Sequence, residues 1–218
     1  MDTASLSVSL KLHALWAGSA GRDGVRLNLS SMDLRRTPLA YANLVGAKLG
    51  GTDLRHADLS HANFTGADLT DADLRGANLS HANFSTARMN GARLKGADLR
   101  YARLPNAHLP AADLRETPLE GIDLRGAQLS LAHFEQADLS GAKLRGADLS
   151  CANLQDANLC GTDLGCANLL GATLRGILLD ARSNLRDVRI HAEQLRDVDL
   201  SALRMENRPF PVNLARSA

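Results

Sequence analysis

Every fifth residue from Leu29 to Leu179 is apolar: 27 leucines with Phe64, Phe84, Phe134 and Met89 fill all 31 positions. This period matches neither an α-helix, at about 3.6 residues per turn, nor a strand, at about 2. It demands a chain that changes direction once per unit. Two residues before each central position, 23 of the 31 sites are Ala and the rest are Thr, Ile, Leu or Met. Residues two apart in an extended segment point the same way, so the small and the large side chain of each unit face inward together and the residue between them faces out. Of the 18 glycines, 13 fall two residues after the central position, where the chain must turn and a β-carbon is a hindrance. Asn, Asp and His, which also tolerate such turns, appear in the same phase.

Stacked coils should place like above like, and a spacing of 20 does so. Arg35, Arg55, Arg75, Lys95 and Arg115 align at that interval, as do Asp33, Asp53 and Asp73, the trio Asn43, Asn63 and Asn83, and the set Tyr41, His61, His81 and Tyr101. Four units per coil follow. The repeat then makes nearly eight coils and, at a strand spacing of about 4.8 Å, a rod roughly 37 Å long. An aromatic content of only 3% agrees with a narrow aliphatic interior.

The runs Ala67-Asp68-Leu69, Ala72-Asp73-Leu74 and Ala77-Asn78-Leu79 resemble the A(D/N)LXX signature of the pentapeptide-repeat family. The resemblance covers about seven tenths of the chain. It implies an all-β fold, the right-handed quadrilateral β-helix, in agreement with the coil period read independently from the stacking.

The repeat divides the chain into an N-terminal capping segment over 1–26, a repeat domain over 27–205 and an irregular tail over 206–218. Leu6, Leu10 and Trp16, with Leu12 and Leu15, predict a short amphipathic helix ended by Gly18 and Gly21, its apolar side laid over the first coil and Trp16 as the plug. The register slips by one residue near 181–184 and resumes at Leu185, Ile190, Leu195, Leu200 and Met205. The tail either folds over the last coil or forms a dimer through Phe210, so monomer and homodimer through the C-terminal end both stay open.

Twenty-five basic against 24 acidic residues give a net charge of +1, which argues against direct nucleic-acid binding and against an acidic decoy. Three cysteines, Cys151, Cys160 and Cys166, do not make a disulfide framework and suit a reducing compartment. With no basic n-region, and with Lys11 and His13 interrupting the apolar stretch, a secretory signal is not expected, nor is a membrane span. A cytoplasmic location is the expectation.

Two surface columns are candidate interaction sites. The first is the basic stripe Arg35, Arg55, Arg75, Lys95 and Arg115; because Asp33, Asp53, Asp73 and Asp113 run beside it, self-pairing is the leading expectation there. The second is the corner column Tyr41, His61, His81 and Tyr101, of a composition over-used at interfaces and equally accounted for by stacking of like residues. Two histidines lack the further ligands that a metal site needs. No phosphate loop, nucleophile elbow or HExxH pattern is present, and a filled rod offers no pocket, so no enzyme activity, metal or cofactor is expected.

These features predict a non-catalytic protein-binding or scaffold protein that acts through its outer walls. The family resemblance implies an alternative: some members resemble duplex DNA in width and charge, bind the type II topoisomerases DNA gyrase or topoisomerase IV, and protect against quinolones or peptide toxins. This chain departs from those members in being near neutral and Leu-centred.

Overall fold

The computed structural model describes residues 3–196, 198–201 and 212–215. Its element order is a helix α1 (Thr3–Gly18), the coiled repeat, a strand β1 (Val188–His191), a single 3₁₀ turn (Ala192–Leu195) and a strand β2 (Val212–Ala215).

Local chemistry explains the coil. Units close with a backbone bond such as Met32 N–H to Leu29 O at 3.1 Å, except that at Leu114 the Thr117 hydroxyl donates to the carbonyl instead, and the third residue of the first turn, Ser31, has φ of 59°. This is the type II turn, which requires positive φ at that place. Every fifth residue from Ser31 to Gly176 adopts it. Glycine meets the requirement without cost, but Leu131 at 62° and Thr86 at 57° are held there against their preference, because the coils above and below determine the path.

The acidic or amide residue before the centre has a structural task as well. Oδ1 of Asp33 accepts the N–H of Arg35 at 3.1 Å, and Oδ1 of Asn63 accepts that of Thr65 at 3.1 Å. Asp and Asn recur there because a short acceptor two residues upstream caps the turn.

Units stack in parallel at a spacing of 20, as in Asp33↔Asp53↔Asp73 and Asn43↔Asn63↔Asn83. A right-handed, four-sided β-helix results. We number its faces by their central residues: the first holds Leu34, Leu54 and Leu74, the second Leu39, Leu59 and Leu79, the third Leu44, Phe64 and Phe84, and the fourth Leu29, Leu49 and Leu69. The first and third are opposite walls. From Leu44 to Leu164 no central side chain is more than 1% exposed, and Phe64 stacks on Phe84 with centroids 4.5 Å apart. Threonines in the small inward phase keep their hydroxyls satisfied: Thr52 donates to Leu29 O and Thr162 to Leu139 O, both at 2.9 Å.

The N-terminal cap differs in detail from the sequence expectation. Leu6 is buried and Leu10 packs on the core, but Leu12 and Leu15 point to solvent, 40% and 58% exposed. The plug is shared with His13, which is fully buried and accepts the Leu27 N–H on Nδ1 at 3.0 Å. Trp16 stacks on His13 at 5.4 Å and reaches the rim at Gly46, where the Arg26 guanidinium lies 5.6 Å from its ring. A polar ring wins the central place because Leu27 opens the first coil with an amide that needs an acceptor. Gly24, at φ of 77°, lies so close to the Leu12 carbonyl that a β-carbon would collide with it.

At the other end the ladder offset becomes 21, with Asp163↔Asn184 and Asn168↔Arg189. The extra residue sits in a loop held by Asp180 Oδ1, which accepts the Gly161 N–H at 2.8 Å, and by Ser183, which donates to Leu159 O at 2.9 Å. Partial burial pushes the Asp180 carboxyl up, but bonds from Arg182, the Gly161 N–H and Ser183 outweigh it and hold the group at about 2. Gln194 covers the last coil by donating to Leu169 O at 2.8 Å and Ala172 O at 2.7 Å. Rather than remaining irregular throughout, the tail supplies β2, which pairs in parallel with β1 as Val188↔Val212 to His191↔Ala215. Phe210 and Met205, named above, lie outside the described residues.

Candidate binding surfaces

The first face brings the basic stripe and its acidic neighbours into contact. Each arginine folds back on the carboxylate two residues earlier: Arg35 to Asp33 at 2.6 Å, Arg55 to Asp53 at 2.7 Å, Arg75 to Asp73 at 2.6 Å and Arg115 to Asp113 at 2.8 Å. The bonds are two-pronged, Nε and Nη2 each reaching one carboxylate oxygen, as in Arg55 with Asp53. Rungs are also linked along the rod, Arg35 to Asp53 at 3.6 Å and Arg55 to Asp73 at 3.8 Å. The Arg35 side chain, then its backbone N–H, holds the Asp33 carboxyl at about 2, and the same bonding lowers Asp53, Asp73 and Asp113. Lys95 pairs with Glu116 at 3.4 Å. Asp98 with Arg100 and Asp123 with Arg125 repeat the motif on the second and third faces, at 2.6 and 2.7 Å. The D-x-R spacing is the signal that announces these further pairs in the sequence.

The corner column forms one continuous stack. Tyr41 and His61 rings lie 4.7 Å apart and 1° from parallel, His61 and His81 repeat those values, and His81 and Tyr101 follow at 5.2 Å and 17°. The Tyr101 hydroxyl donates to Glu120 Oε1 at 2.5 Å, and its ring covers Gly121, which ends the stack. The upper face of the stack belongs to Tyr41, 73% exposed. Parallel imidazoles this far apart cannot converge on one ion, since zinc needs each nitrogen within about 2.1 Å. Among the described residues no group of three His, Cys, Asp or Glu is placed to hold a metal.

Beyond this corner the third face carries Asn43, Val45, Asn63, Thr65, Asn83 and Ser85 on three successive coils, with no formal charge before Arg103. Its polar groups bond to one another: Thr65 donates to Asn63 Oδ1 at 2.6 Å, Asn83 Nδ2 donates to Thr65 Oγ1 at 3.1 Å, and Ser85 donates to Asn83 Oδ1 at 2.5 Å. The sequence columns contained this uncharged wall, but only the four-sided geometry shows it to be bordered by rings.

Cys151 and Cys166 are exposed and Cys160 is half-buried, all three with free thiols. Among the described residues no helix is long and apolar enough to cross a membrane. A void of about 20 Å³ lies in the aliphatic C-terminal end, lined by Leu174, Leu179, Val188 and Leu195 among others.

A family model for pentapeptide repeats matches eight copies, over residues 26–55, 52–91, 87–126, 127–165 and 152–176. No curated protein matches the chain. Among solved structures, a trypsin-treated form of QnrB1, a plasmid-mediated fluoroquinolone resistance protein, is similar at 23% identity over 72% of this chain and 92% of its own, with a TM-score of 0.57. HetL, a pentapeptide repeat protein involved in heterocyst differentiation regulation from the cyanobacterium Nostoc sp. strain PCC 7120, is 33% identical over 80% of this chain and 94% of its own, with a TM-score of 0.28.

Proposed function

Because the chain belongs to the pentapeptide-repeat family, which is defined by its coil and not by one activity, we propose that it is a non-catalytic binding or scaffold protein that docks another protein on its third face along the Tyr41–His61–His81–Tyr101 edge. The observation that carries this reading is the pairing of a ring column with an uncharged wall. Interface centres are depleted in charge and rich in aromatic side chains, because a charge must be desolvated when it is covered. Here Thr65, Asn83 and Ser85 already bond within the wall, and covering it strands no charge.

A photo-reactive residue at Asn63, compared with one at Arg55 on the first face, tests it in extract from the source cells. A single cross-linked species at position 63, lost in Tyr41→Ala, is expected. Equal cross-linking at both positions, or none at either, removes the reading.

The topoisomerase-directed alternative, with resistance to quinolones or peptide toxins, draws less support. The likeness to QnrB1 is one of fold, and a DNA mimic needs a continuous negative wall, whereas each acidic residue in the first-face ladder is bound to its own arginine. A supercoiling assay with gyrase, with and without a quinolone, checks it: altered supercoiling or protection would restore the alternative.

A further inference from the structure

From Asp33 to Arg115 the first face repeats the pair Asp-x-Arg on successive coils with one interruption; the later rungs of the same face are His133 with Glu135, Asn153 with Gln155 and Thr173 with Arg175. Asp33 with Arg35, Asp53 with Arg55, Asp73 with Arg75 and Asp113 with Arg115 are each closed by an ion pair. Between the third and the last of these stands Arg93 with Lys95, bridged through its backbone to Asp73 on one side and Asp113 on the other. The acidic member is missing there and a second cation takes its place.

No neighbour makes up the deficit. Asp73 and Asp113 are held by their own arginines, and among the described residues Arg93 has no ion pair and no side-chain hydrogen bond. Asp71 rests its carboxylate over Gly91 on the adjoining corner without pairing to Arg93. Lys95 has only Glu116, at 3.4 Å and 72% exposed. A depression of about 350 Å³ opens at this rung, lined by Arg75, Gly91, Arg93, Lys95, Ala111 and Asp113, and the small residues at Gly91 and Ala111 leave it open from the corner.

We propose that Arg93 and Lys95 form a notch for a single carboxylate, filled by one Asp or Glu side chain of a protein partner that supplies the acidic member this rung lacks. A guanidinium with both prongs free receives a carboxylate in the geometry already used on the neighbouring rungs. The flanking Asp73 and Asp113, one strand spacing of about 4.8 Å above and below, set the size of the ligand. Each is already closed by its own arginine, so the rungs above and below offer no free guanidinium to a chain that carries charge after charge along the axis, such as a nucleic-acid backbone, and one isolated acid is what the notch fits. The notch rests on the protein-binding reading but lies on the wall opposite the ring-edged face, so the two can fail separately.

The test uses the full-length chain labelled with ¹⁵N, titrated at constant ionic strength with a capped short peptide bearing one central Glu, with its Gln counterpart, and with a short single-stranded DNA. Saturable shifts at the Arg93 Nε–H and the Lys95 amide are expected with the Glu peptide, roughly twice those at Arg36 or Arg189. They should be absent with the Gln peptide and lost in Arg93→Asp and Arg93→Gln. Arg93→Asp rebuilds the ladder and should melt at or above the parent temperature, so its loss of binding is not loss of fold. Shifts spread evenly over the exposed arginines, shifts that persist in both variants, or stronger shifts at the same resonances with DNA would each overturn the proposal. Cross-linking at Asn63 in the parent chain, with no saturable Arg93 shift from the Glu peptide, would overturn the notch alone.

Discussion

Across three successive coils the first face carries Asp33, Arg35, Asp53, Arg55, Asp73 and Arg75, whereas the third, on the far side of the same core, carries Asn43, Val45, Asn63, Thr65, Asn83 and Ser85. The backbone is the same, for Oδ1 of an aspartate and of an asparagine cap the turn equally well at 3.1 Å in Asp33 and Asn63. What differs is the charge left over. On the first face it is spent on ion pairs within the wall, and on the third it never arises. The comparison teaches that where a side-chain acceptor caps the turn its charge is left free, so at these rungs the choice of Asp or Asn reports on what each wall meets rather than on how it folds.

The comparison breaks most completely if the shared core is opened. Phe84→Ala removes the ring that stacks on Phe64 behind the third face, and a loss of about 3–5 kcal/mol in denaturant unfolding is expected. Cross-linking at Asn63 should fall with it, while the Arg93 shifts, on the other wall, should weaken less.

Acid separates the walls next. The carboxyls of Asp33, Asp53, Asp73 and Asp113 titrate lower in the fold than the ordinary 3.8, chiefly through their arginine bonds, Asp33 at about 2. Their stabilisation is therefore present above about pH 4 and is lost as the pH falls through that value towards 2. Melting temperature followed against pH should show this decline, and Asp33→Asn with Asp53→Asn and Asp73→Asn should flatten it. A separate step belongs to the cap. Burial lowers His13 from its ordinary 6.5. As the pH drops below 6.5 the unfolded ring takes a proton that the docked ring refuses, so the cap loosens; fluorescence of Trp16, the lone tryptophan, reports it.

A smaller effect sharpens the ring edge. His81→Ala deletes two ring contacts, at 4.7 and 5.2 Å, and about 1–2 kcal/mol of stability is expected to go with them, measured by denaturant titration. The smallest effect belongs to a single charged rung. Arg55→Gln should shift the melting temperature by less than about 2 °C, since an exposed pair contributes little and salt screens it. A larger shift would mean that the first face is a structural brace, and the contrast between the walls would fail.

Much of this molecule is legible in its residues because the constraints repeat. Leu54, Ala57 and Gly51 occupy the phases that the five-residue period assigns them, and the ring column and the charged stripe both follow from counting by 20. The cap was harder to read. Leu12 and Leu15 look as apolar as Leu6 and Leu10, but the helix rolls so that His13 meets the Leu27 amide, and no periodicity announces a single hydrogen bond at an end. Arg93 was also hidden, since one cation in the otherwise acidic column of Asp33, Asp53, Asp73 and Asp113 attracts no notice until its neighbours are seen to be paired without it.

The sequence by itself determined the turn every five residues, the four-sided coil and the composition of each wall, because inward packing and turn capping act within one unit and recur in each. Only the tertiary structure decided which arginine closes on which carboxylate, that the corner rings lie parallel, how the cap is rolled and that Arg93 is left without a carboxylate. Those outcomes depend on side-chain torsions and on neighbours twenty residues away, and such contacts exist only once the coils have stacked.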